Sequence, residues 1–194
     1  TKEMYETKGA FFNVGQPGAE SQLAAARRAA AICGIHLEVF DISSLKNNFL
    51  GLAPGNEIAV SLTGRSSMNC PFGIFGLAAS YAIASGASTL ITGVHKDDLE
   101  SAPHSLTYLR NVGVDASKLH KVDFEVALPF TTLTKTEVFH YGASLNFPFQ
   151  VTRSCSSSSH LPCGICEECT KRLSAFAAAG IHDPADYKRQ ITKT

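Results

Sequence analysis

Four cysteines near the C-terminus place the strongest constraint on how this chain folds. They follow the pattern Cys-x7-Cys-x2-Cys-x2-Cys and are Cys155, Cys163, Cys166 and Cys169. Two consecutive C-x-x-C steps put three thiolates on one short stretch of backbone, and the preceding loop lets the first cysteine fold back to close a tetrahedron. The spacing therefore predicts a metal site. Zinc is the expected ion, and an iron–sulfur cluster is the alternative that four thiolates also allow.

Length and charge agree with a metal site better than with a disulfide framework. The chain has 194 residues and a formal net charge of zero. A chain of this length buries its own core without covalent staples, so Cys33 and Cys70 are expected to be free thiols in a reducing compartment.

Zero net charge provides no general attraction to nucleic acid or to an anionic membrane. With neither a signal-peptide pattern nor an apolar run of membrane-spanning length, the sequence predicts a cytoplasmic protein.

Short apolar runs alternate with helical patterns along the chain. The predicted strands are 9–13, 37–40, 89–93 and 124–127, and the predicted helices are 20–33, 72–85, 105–111, 134–143 and 167–178. Strands separated by helices of this length pair in parallel. We therefore predict an α/β fold with an open, mostly parallel sheet covered by helices on both faces. Residues 1–150 are expected to form this nucleotide-binding-like domain, and residues 151–194 a small helical zinc-binding lobe.

Ligands of such sheets bind beyond the carboxyl ends of the strands, so the candidate loops are those after Asn13, Phe40, Gly93 and Phe130. Gly15 and Gln16 follow the first predicted strand, and the Gln16 amide is a candidate contact for a nucleotide base, with a turn-stabilising role as the alternative. Gly93 ends a later strand and is a second candidate for nucleotide contact. Asp97 and Asp98 come next; Asp98 is a candidate for Mg²⁺ binding or acid–base chemistry, and helix capping is the alternative.

Lys135 lies in the first turn of a predicted helix, where a phosphate can dock. We therefore take it as a candidate catalytic residue. Thr134 and Glu137 have the spacing of a capping box at the same helix start. The two interpretations are compatible with each other.

Several segments, taken in order, resemble one known family. They are 12–16, 91–98, 128–138, 154–176 and 179–184. Together they resemble the 7-cyano-7-deazaguanine synthases of queuosine biosynthesis, which are nucleotide α-hydrolases with a pyrophosphate-binding loop (PP-loop). The resemblance implies an ATP- and Mg²⁺-dependent ligase that adenylates a 7-deazapurine carboxylate and converts it with ammonia to an amide and then a nitrile. It also implies zinc on the four cysteines and a homodimer.

The phosphate loop of that family, Ser-Gly-Gly-x-Asp-Ser, does not occur in this sequence. The strand 9–13 corresponds to the second strand of the family, so the resemblance places the loop upstream of Thr1. We expect it there or on an associated chain. The loop Gly64-Arg65-Ser66-Ser67 is interpreted as an ordinary solvated loop.

Two further segments differ from the family pattern where the substrate is recognised. Cys70-Pro71 replaces an Arg-Asn pair, and Ala102-Pro103-His104-Ser105-Leu106 replaces Tyr-Pro-Asp-Cys-Arg. The aromatic, acidic and guanidinium groups of that second segment are lost, which favours an altered acceptor. The alternative hypothesis is a noncatalytic zinc-binding paralogue or subunit that binds a partner.

Overall fold

A computed structural model describes residues 5–44, 72–101 and 104–188. These residues divide into two units: 5–44 with 146–188, and 72–101 with 104–145. The substrate-segment residues 70–71 and 102–103 and the loop 64–67 lie outside the described residues. The predicted boundary at residue 150 between an α/β domain and a zinc-binding lobe stays a prediction.

The order of strands and helices confirms the α/β alternation. In chain order the elements are β1 (Lys8–Asn13), α1 (Ala19–Cys33), β2 (His36–Asp41), α2 (Phe72–Ala84), β3 (Thr89–Ile91), α3 (Lys96–Ser101), α4 (His104–His120), β4 (Glu125–Ala127), α5 (Lys135–Ser144), a 3₁₀ helix (Phe149–Val151) and α6 (Glu167–Ala178). Within the described ranges no helix is both long and apolar enough to cross a membrane.

The first unit is built on a β–α–β arrangement. Strands β1 and β2 pair in parallel, in register from Lys8 opposite His36 to Asn13 opposite Asp41. The rings of Phe12 and Phe40 stack with their centroids 5.0 Å apart. Gly34 ends α1 in the left-handed conformation, with φ of 67°, and donates its N–H to the last turn, which confirms the predicted C-cap.

The second unit pairs β3 with β4 in parallel and packs helices α2 and α4 against them. Thr89 lies opposite Glu125, and the pairing continues past the strands in a bridge between His95 and Phe130. The buried centre of this packing is formed by Ala79, Ala82 and Phe124. Small residues on α2 let the helix approach the strands closely, as its Gly/Ala-rich sequence predicts. In the described part of the chain the strands thus form two parallel pairs.

Helix α4 is much longer than the sequence predicted. The prediction ended at Asn111, whereas the helix continues to His120. Val112 and Ala116, in the added turns, pack against the Phe124 cluster, and this burial outweighs the low helix propensity of Gly113. The strand predicted over 89–93 is shorter and ends at Ile91.

Gly113 allows α4 to approach β4, and its replacement tests that contact. A Cβ atom built at Gly113 would lie 2.9 Å from the backbone N of Val126, so Gly113→Ala forces helix and strand apart. We expect the variant to lower the free energy of unfolding by roughly 1–3 kcal/mol in denaturant titrations. Gly76→Ala on α2 is the control, because nothing lies within 4 Å of its added Cβ. Equal stability of the two variants would contradict the close approach.

Candidate functional site

The fold brings the four predicted metal ligands together. The Sγ atoms of Cys155, Cys163, Cys166 and Cys169 all lie within 4.8 Å of one another. The Cys155 Sγ is 3.6 Å from that of Cys163 and 4.0 Å from that of Cys166. A tetrahedral ion with metal–sulfur bonds of about 2.3 Å has sulfur–sulfur edges of about 3.8 Å, whereas a disulfide bond is about 2.05 Å long. The cluster is therefore not a disulfide set and can hold a metal ion.

Two backbone features place the sulfurs. Gly164 has φ of 76°, a left-handed conformation that turns the chain between the second and third cysteines. Cys166 is the N-cap residue of α6, and Cys169 lies in the first turn of that helix. The N–H groups of Ser157 and Cys163 point at the Cys155 Sγ from 3.4 and 3.3 Å. Backbone N–H groups directed at sulfur stabilise the thiolate form that a metal requires. We call residues 155–169 the cysteine knuckle.

The thiols of the knuckle differ in acidity. Burial of Cys155 opposes ionisation, but hydrogen bonds from the Ser157 hydroxyl and the Cys163 N–H lower the pKa of Cys155 to about 6. Burial raises the pKa of the Cys169 thiol. A metal that binds all four sulfurs must therefore displace protons, and its affinity rises with pH.

The loop between the first two cysteines is held by Arg153. Its Nη1 donates to the His160 carbonyl at 2.9 Å, and its Nη2 donates to the carbonyls of Ser157 and Ser159 at 3.1 and 2.7 Å. The imidazole of His160 is exposed and is not among the four clustered ligands. Sequence reasoning missed the role of Arg153, because nothing in the spacing indicates a side chain that binds three carbonyls of the following loop.

Helix α6 contributes a buried ion pair behind the knuckle. The Arg172 guanidinium binds the Asp183 carboxylate through two nitrogens, Nε to Oδ2 at 3.0 Å and Nη2 to Oδ1 at 2.9 Å. It also donates to the Thr152 hydroxyl and lies over the Phe176 ring. The side chains of Arg172 and Asp183 are only 4% and 7% exposed. The position of Arg172, one turn beyond Cys169, predicts that it points over the cluster or toward an anion; the anion it binds is the Asp183 carboxylate.

The packing face of α6 differs from the predicted one. The spacing of Leu173, Phe176 and Ala177 in the sequence predicts that they pack the helix on the sheet, but Leu173 and Ala177 are exposed. The buried residues are Cys169, Arg172, Ala175 and Phe176. An apolar pattern leaves arginine out of the predicted core, and of the predicted packing face only Phe176 is buried.

The Asp183 carboxylate makes this part of the fold sensitive to acid. Burial tends to raise its pKa, but hydrogen bonds from Arg172 and Tyr187 outweigh that effect and keep the pKa below its usual value of 3.8. The unfolded chain therefore binds this proton more readily than the folded chain. The stability that the carboxylate provides is complete above its usual pKa and is lost as the pH falls through the lowered one.

We therefore expect the stability difference between wild type and Asp183→Asn to shrink on acidification. Free energies of unfolding measured at roughly pH 6 and roughly pH 3 check this, with the larger difference at the higher pH. A difference that stays constant over this interval would contradict the lowered pKa.

The turn after β1 holds two of the predicted nucleotide contacts. Gly15 has φ of 78°, and its N–H donates to the Asn13 side chain at 3.0 Å. The Gln16 Oε1 accepts the Val14 N–H at 2.9 Å, and its Nε2 donates to Gln22 at 3.0 Å. Gln16 thus stabilises the turn, as the alternative interpretation expected. Asn13, Gly15 and Gln16 line a cleft of about 380 Å³ at the start of α1, which we call the Gln16 cleft.

In the second unit, the acids after β3 make contacts of their own. The Asp98 Oδ2 lies 3.3 Å from the His95 Nε2 and accepts the His95 N–H at 3.2 Å. The Asp97 Oδ2 accepts the backbone N–H of Lys135 at 2.9 Å. The structure thus links the predicted Asp97–Asp98 pair to the start of α5. A Cβ built at Gly93 meets no atom of the described residues within 4 Å, so none of them covers that backbone.

The N-terminus of α5 is capped by carboxylates. The predicted capping box is confirmed: the Thr134 side chain accepts the Glu137 N–H, and Glu137 accepts the Thr134 N–H at 2.7 Å. Together with the bond from Lys135 to Asp97, three backbone donors of the helix start are already satisfied, two of them by carboxylates. A phosphate at this position competes with two carboxylates. The catalytic role of Lys135 stays a prediction.

These features define an α/β protein with parallel strand pairs and a four-cysteine knuckle able to hold a metal. The model of the family described as "Queuosine biosynthesis protein QueC" matches residues 1–180, and the chain belongs to that family. The predicted family is therefore confirmed. The match includes the turn after β1, the loop after β3 and the whole knuckle.

Curated relatives agree with this assignment. A protein of Methanothermobacter thermautotrophicus is 28% identical over 205 residues, covering 95% of this chain and 89% of the relative. A protein of Methanobrevibacter smithii is 27% identical over 206 residues, with 95% and 88% covered. One from Chlorobium chlorochromatii is 28% identical over 200 residues, with 95% and 86% covered. Each of the three is named 7-cyano-7-deazaguanine synthase.

Proposed function

We propose that this chain is an ATP-dependent ligase that converts a 7-deazapurine carboxylate to the corresponding nitrile. The observation that carries the proposal is the family match over residues 1–180, which includes both the strand-end loops and the cysteine knuckle. The names of the curated relatives support the same reaction. We further propose a fold of the nucleotide α-hydrolase type, with an open, mostly parallel sheet and helices on both faces.

The reaction follows from the poor reactivity of a carboxylate toward ammonia. Transfer of AMP from ATP to the carboxylate releases pyrophosphate and creates a good leaving group. Ammonia attacks the acyl carbon, and AMP departs to leave an amide. A second ATP transfers AMP to the amide oxygen with release of pyrophosphate and one N–H proton, and loss of AMP and the remaining N–H proton gives the nitrile. Mg²⁺ supplies charge neutralisation at the phosphates in such reactions.

The strand-end residues have complementary roles in this proposal. In the first unit, Gly15 and Gln16 border the cleft at the start of α1 and are proposed nucleotide contacts. In the second unit, Gly93 is proposed as a nucleotide contact from its position after β3. Lys135 provides a positive charge for the phosphates, and its position is tied to Asp97. Asp98, held by His95, serves as an acid–base group or a Mg²⁺ ligand. These roles are supported by position at strand ends and by the chemistry of the side chains.

We propose zinc as the metal of the knuckle. Since the sulfur atoms lie within 4.8 Å of one another, they surround a space that suits one ion. An iron–sulfur cluster places several iron atoms between its thiolates and requires wider separations. Four thiolates without open positions are typical of structural zinc. The four cysteines hold this ion, and it stabilises the fold of the knuckle.

Pyrophosphate release tests the proposed ligase. With 7-carboxy-7-deazaguanine, ATP, Mg²⁺ and ammonium, we expect release that depends on the carboxylate. Lys135→Met is expected to lower kcat/KM by roughly a hundredfold, because a charge that stabilises the transition state is lost. Lys118→Met is the matched control, since Lys118 lies in the last turn of α4 on an exposed position. Equal rates for the two variants would show that the Lys135 charge does not contribute to the reaction.

A noncatalytic zinc-binding paralogue is the second candidate. It is favoured by the internal hydrogen bonds of Gln16 and by the carboxylates that already cap α5. This candidate predicts a zinc-loaded, folded chain that releases no pyrophosphate with any 7-deazapurine acid. Carboxylate-dependent release by the same preparation excludes it.

A further inference from the structure

The cysteine knuckle lies directly against the start of helix α1. A Cβ built at Gly18, the N-cap residue of α1, would lie 3.1 Å from the carbonyl oxygen of Ser157 and 3.3 Å from that of Cys155. The Ser21 hydroxyl, one turn into the helix, donates to the Ser159 carbonyl at 3.4 Å. Gly18 has φ of −90°, which any residue adopts, so the close contact and not the backbone conformation favours glycine here.

The knuckle also forms one wall of the Gln16 cleft. Ser158 lines the cleft together with Asn13, Gln16 and Ser43. It lies between Ser157 and Ser159, whose carbonyls are both held by Arg153. Ser158 therefore lies on a fixed loop that begins at one candidate metal ligand, Cys155, and ends at another, Cys163.

Three contacts connect the four clustered sulfurs to Gln16, which lines the cleft. The Ser157 hydroxyl lies 3.0 Å from the Cys155 Sγ, and the Ser157 carbonyl faces Gly18. Gly18 precedes the turn of α1 that holds Gln22, the partner of the Gln16 amide. A shift of the loop that carries Cys155 therefore displaces either Gly18 or the carbonyls against it, because neither side of the contact contains a flexible side chain.

We propose that metal binding at the knuckle sets the geometry of the Gln16 cleft, with Gly18 as the point of contact. The two sites are then coupled: the ion fixes the wall that carries Ser158, and a cleft ligand that needs this wall strengthens retention of the ion. The inference rests on the proposed function in one respect, which is that the knuckle holds zinc.

Hydrogen exchange of the complete chain tests the coupling without any cleft ligand. Exchange is compared between the zinc-loaded chain and the same chain stripped with a chelator under reducing conditions. We expect amides of residues 14–22 to lose protection on stripping, while amides 26–33 of α1 and those of α4 keep theirs. Unchanged exchange at 14–22, or an equal loss along all of β1 and α1, would overturn the proposal. A chain that binds no zinc when prepared contradicts the proposed metal site instead.

The Gly18→Ala variant tests the same contact by a change at the start of α1, with zinc affinity as the measured quantity. The added methyl group presses on the carbonyls of Ser157 and Cys155, so zinc affinity is expected to fall by roughly tenfold or more, the usual effect of disturbing groups behind metal ligands. Release of zinc to a coloured chelator measures the change. Gly76→Ala, which adds the same group in open space, should release zinc at the wild-type rate. Equal release by both variants would overturn the role of Gly18.

Discussion

The Cys166→Ser variant should bind essentially no zinc, whereas the wild-type chain should carry about one ion. Serine at this position replaces a thiolate by a hydroxyl, which is a poor ligand for zinc, and three thiolates leave the tetrahedron open. Because structural zinc contributes roughly 10–16 kcal/mol in small metal-binding domains, we expect the knuckle to lose its fixed structure as well. Zinc content by plasma mass spectrometry, together with near-ultraviolet circular dichroism, checks both effects.

Cys33→Ser provides the matched control for this experiment. Cys33 is a free, exposed thiol at the end of α1 and is not one of the four clustered sulfurs. Its replacement should leave zinc content and structure unchanged. If the Cys166 variant keeps its zinc, or if the Cys33 variant loses it, the ligand set is wrong.

Replacement of Arg172 should produce the largest loss of stability outside the metal site. Arg172→Met keeps much of the apolar stem against Phe176 but leaves the Asp183 carboxylate buried without its main partner. Breaking one side of a buried ion pair costs roughly 3–5 kcal/mol, because an uncompensated charge remains inside the protein. Urea titrations of the zinc-loaded chain measure this cost.

Replacement of the adjacent Lys171 shows how much of the loss caused by Arg172→Met depends on burial of the charge. Lys171 forms an ion pair with Glu167 at 2.7 Å, but both side chains are well exposed, at 38% and 60%. Lys171→Met should therefore change the free energy of unfolding by less than about 1 kcal/mol. A double variant with Asp183→Asn should recover part of the loss caused by Arg172→Met. A loss below about 1 kcal/mol for Arg172→Met would contradict the buried pair.

Local sequence signals predicted the parts of the structure that depend on near neighbours. The cysteine spacing brought four sulfurs together, because two C-x-x-C steps and a short loop leave few other arrangements. The αL glycine at Gly34 and the capping box at Thr134 were also predicted, since each depends on residues within one turn. The course of helix α6 was predicted over its whole length for the same reason.

Features that depend on distant partners were missed. Helix α4 continues past Gly113 because β4 offers a surface for its later turns, and helix propensity does not contain that information. The pairing of Arg172 with Asp183 depends on the tail folding back, and a lone arginine in a helix is normally assigned to solvent. The contact of Gly18 with the knuckle joins the N-terminal and C-terminal segments of the first unit, which are far apart in sequence.

The strand-end residues illustrate why position alone does not assign chemistry. Gln16, Asp97 and Asp98 lie at strand ends as predicted, yet each has a partner that gives it a structural role. The same contacts also hold these groups in place for a ligand, as preorganised sites require. The sequence does not distinguish a structural role from a ligand-binding role, because both depend on the same residue types at the same positions.

Incorporation of labelled nitrogen tests the ligase most directly. The zinc-loaded chain is incubated with 7-carboxy-7-deazaguanine, ATP, Mg²⁺ and ¹⁵N-ammonium, and the products are separated and identified by mass spectrometry. We expect the proposed ligase reaction to give an amide and then a nitrile, each containing one ¹⁵N atom from ammonium. Recovery of the unchanged acid from a fully zinc-loaded chain would contradict it.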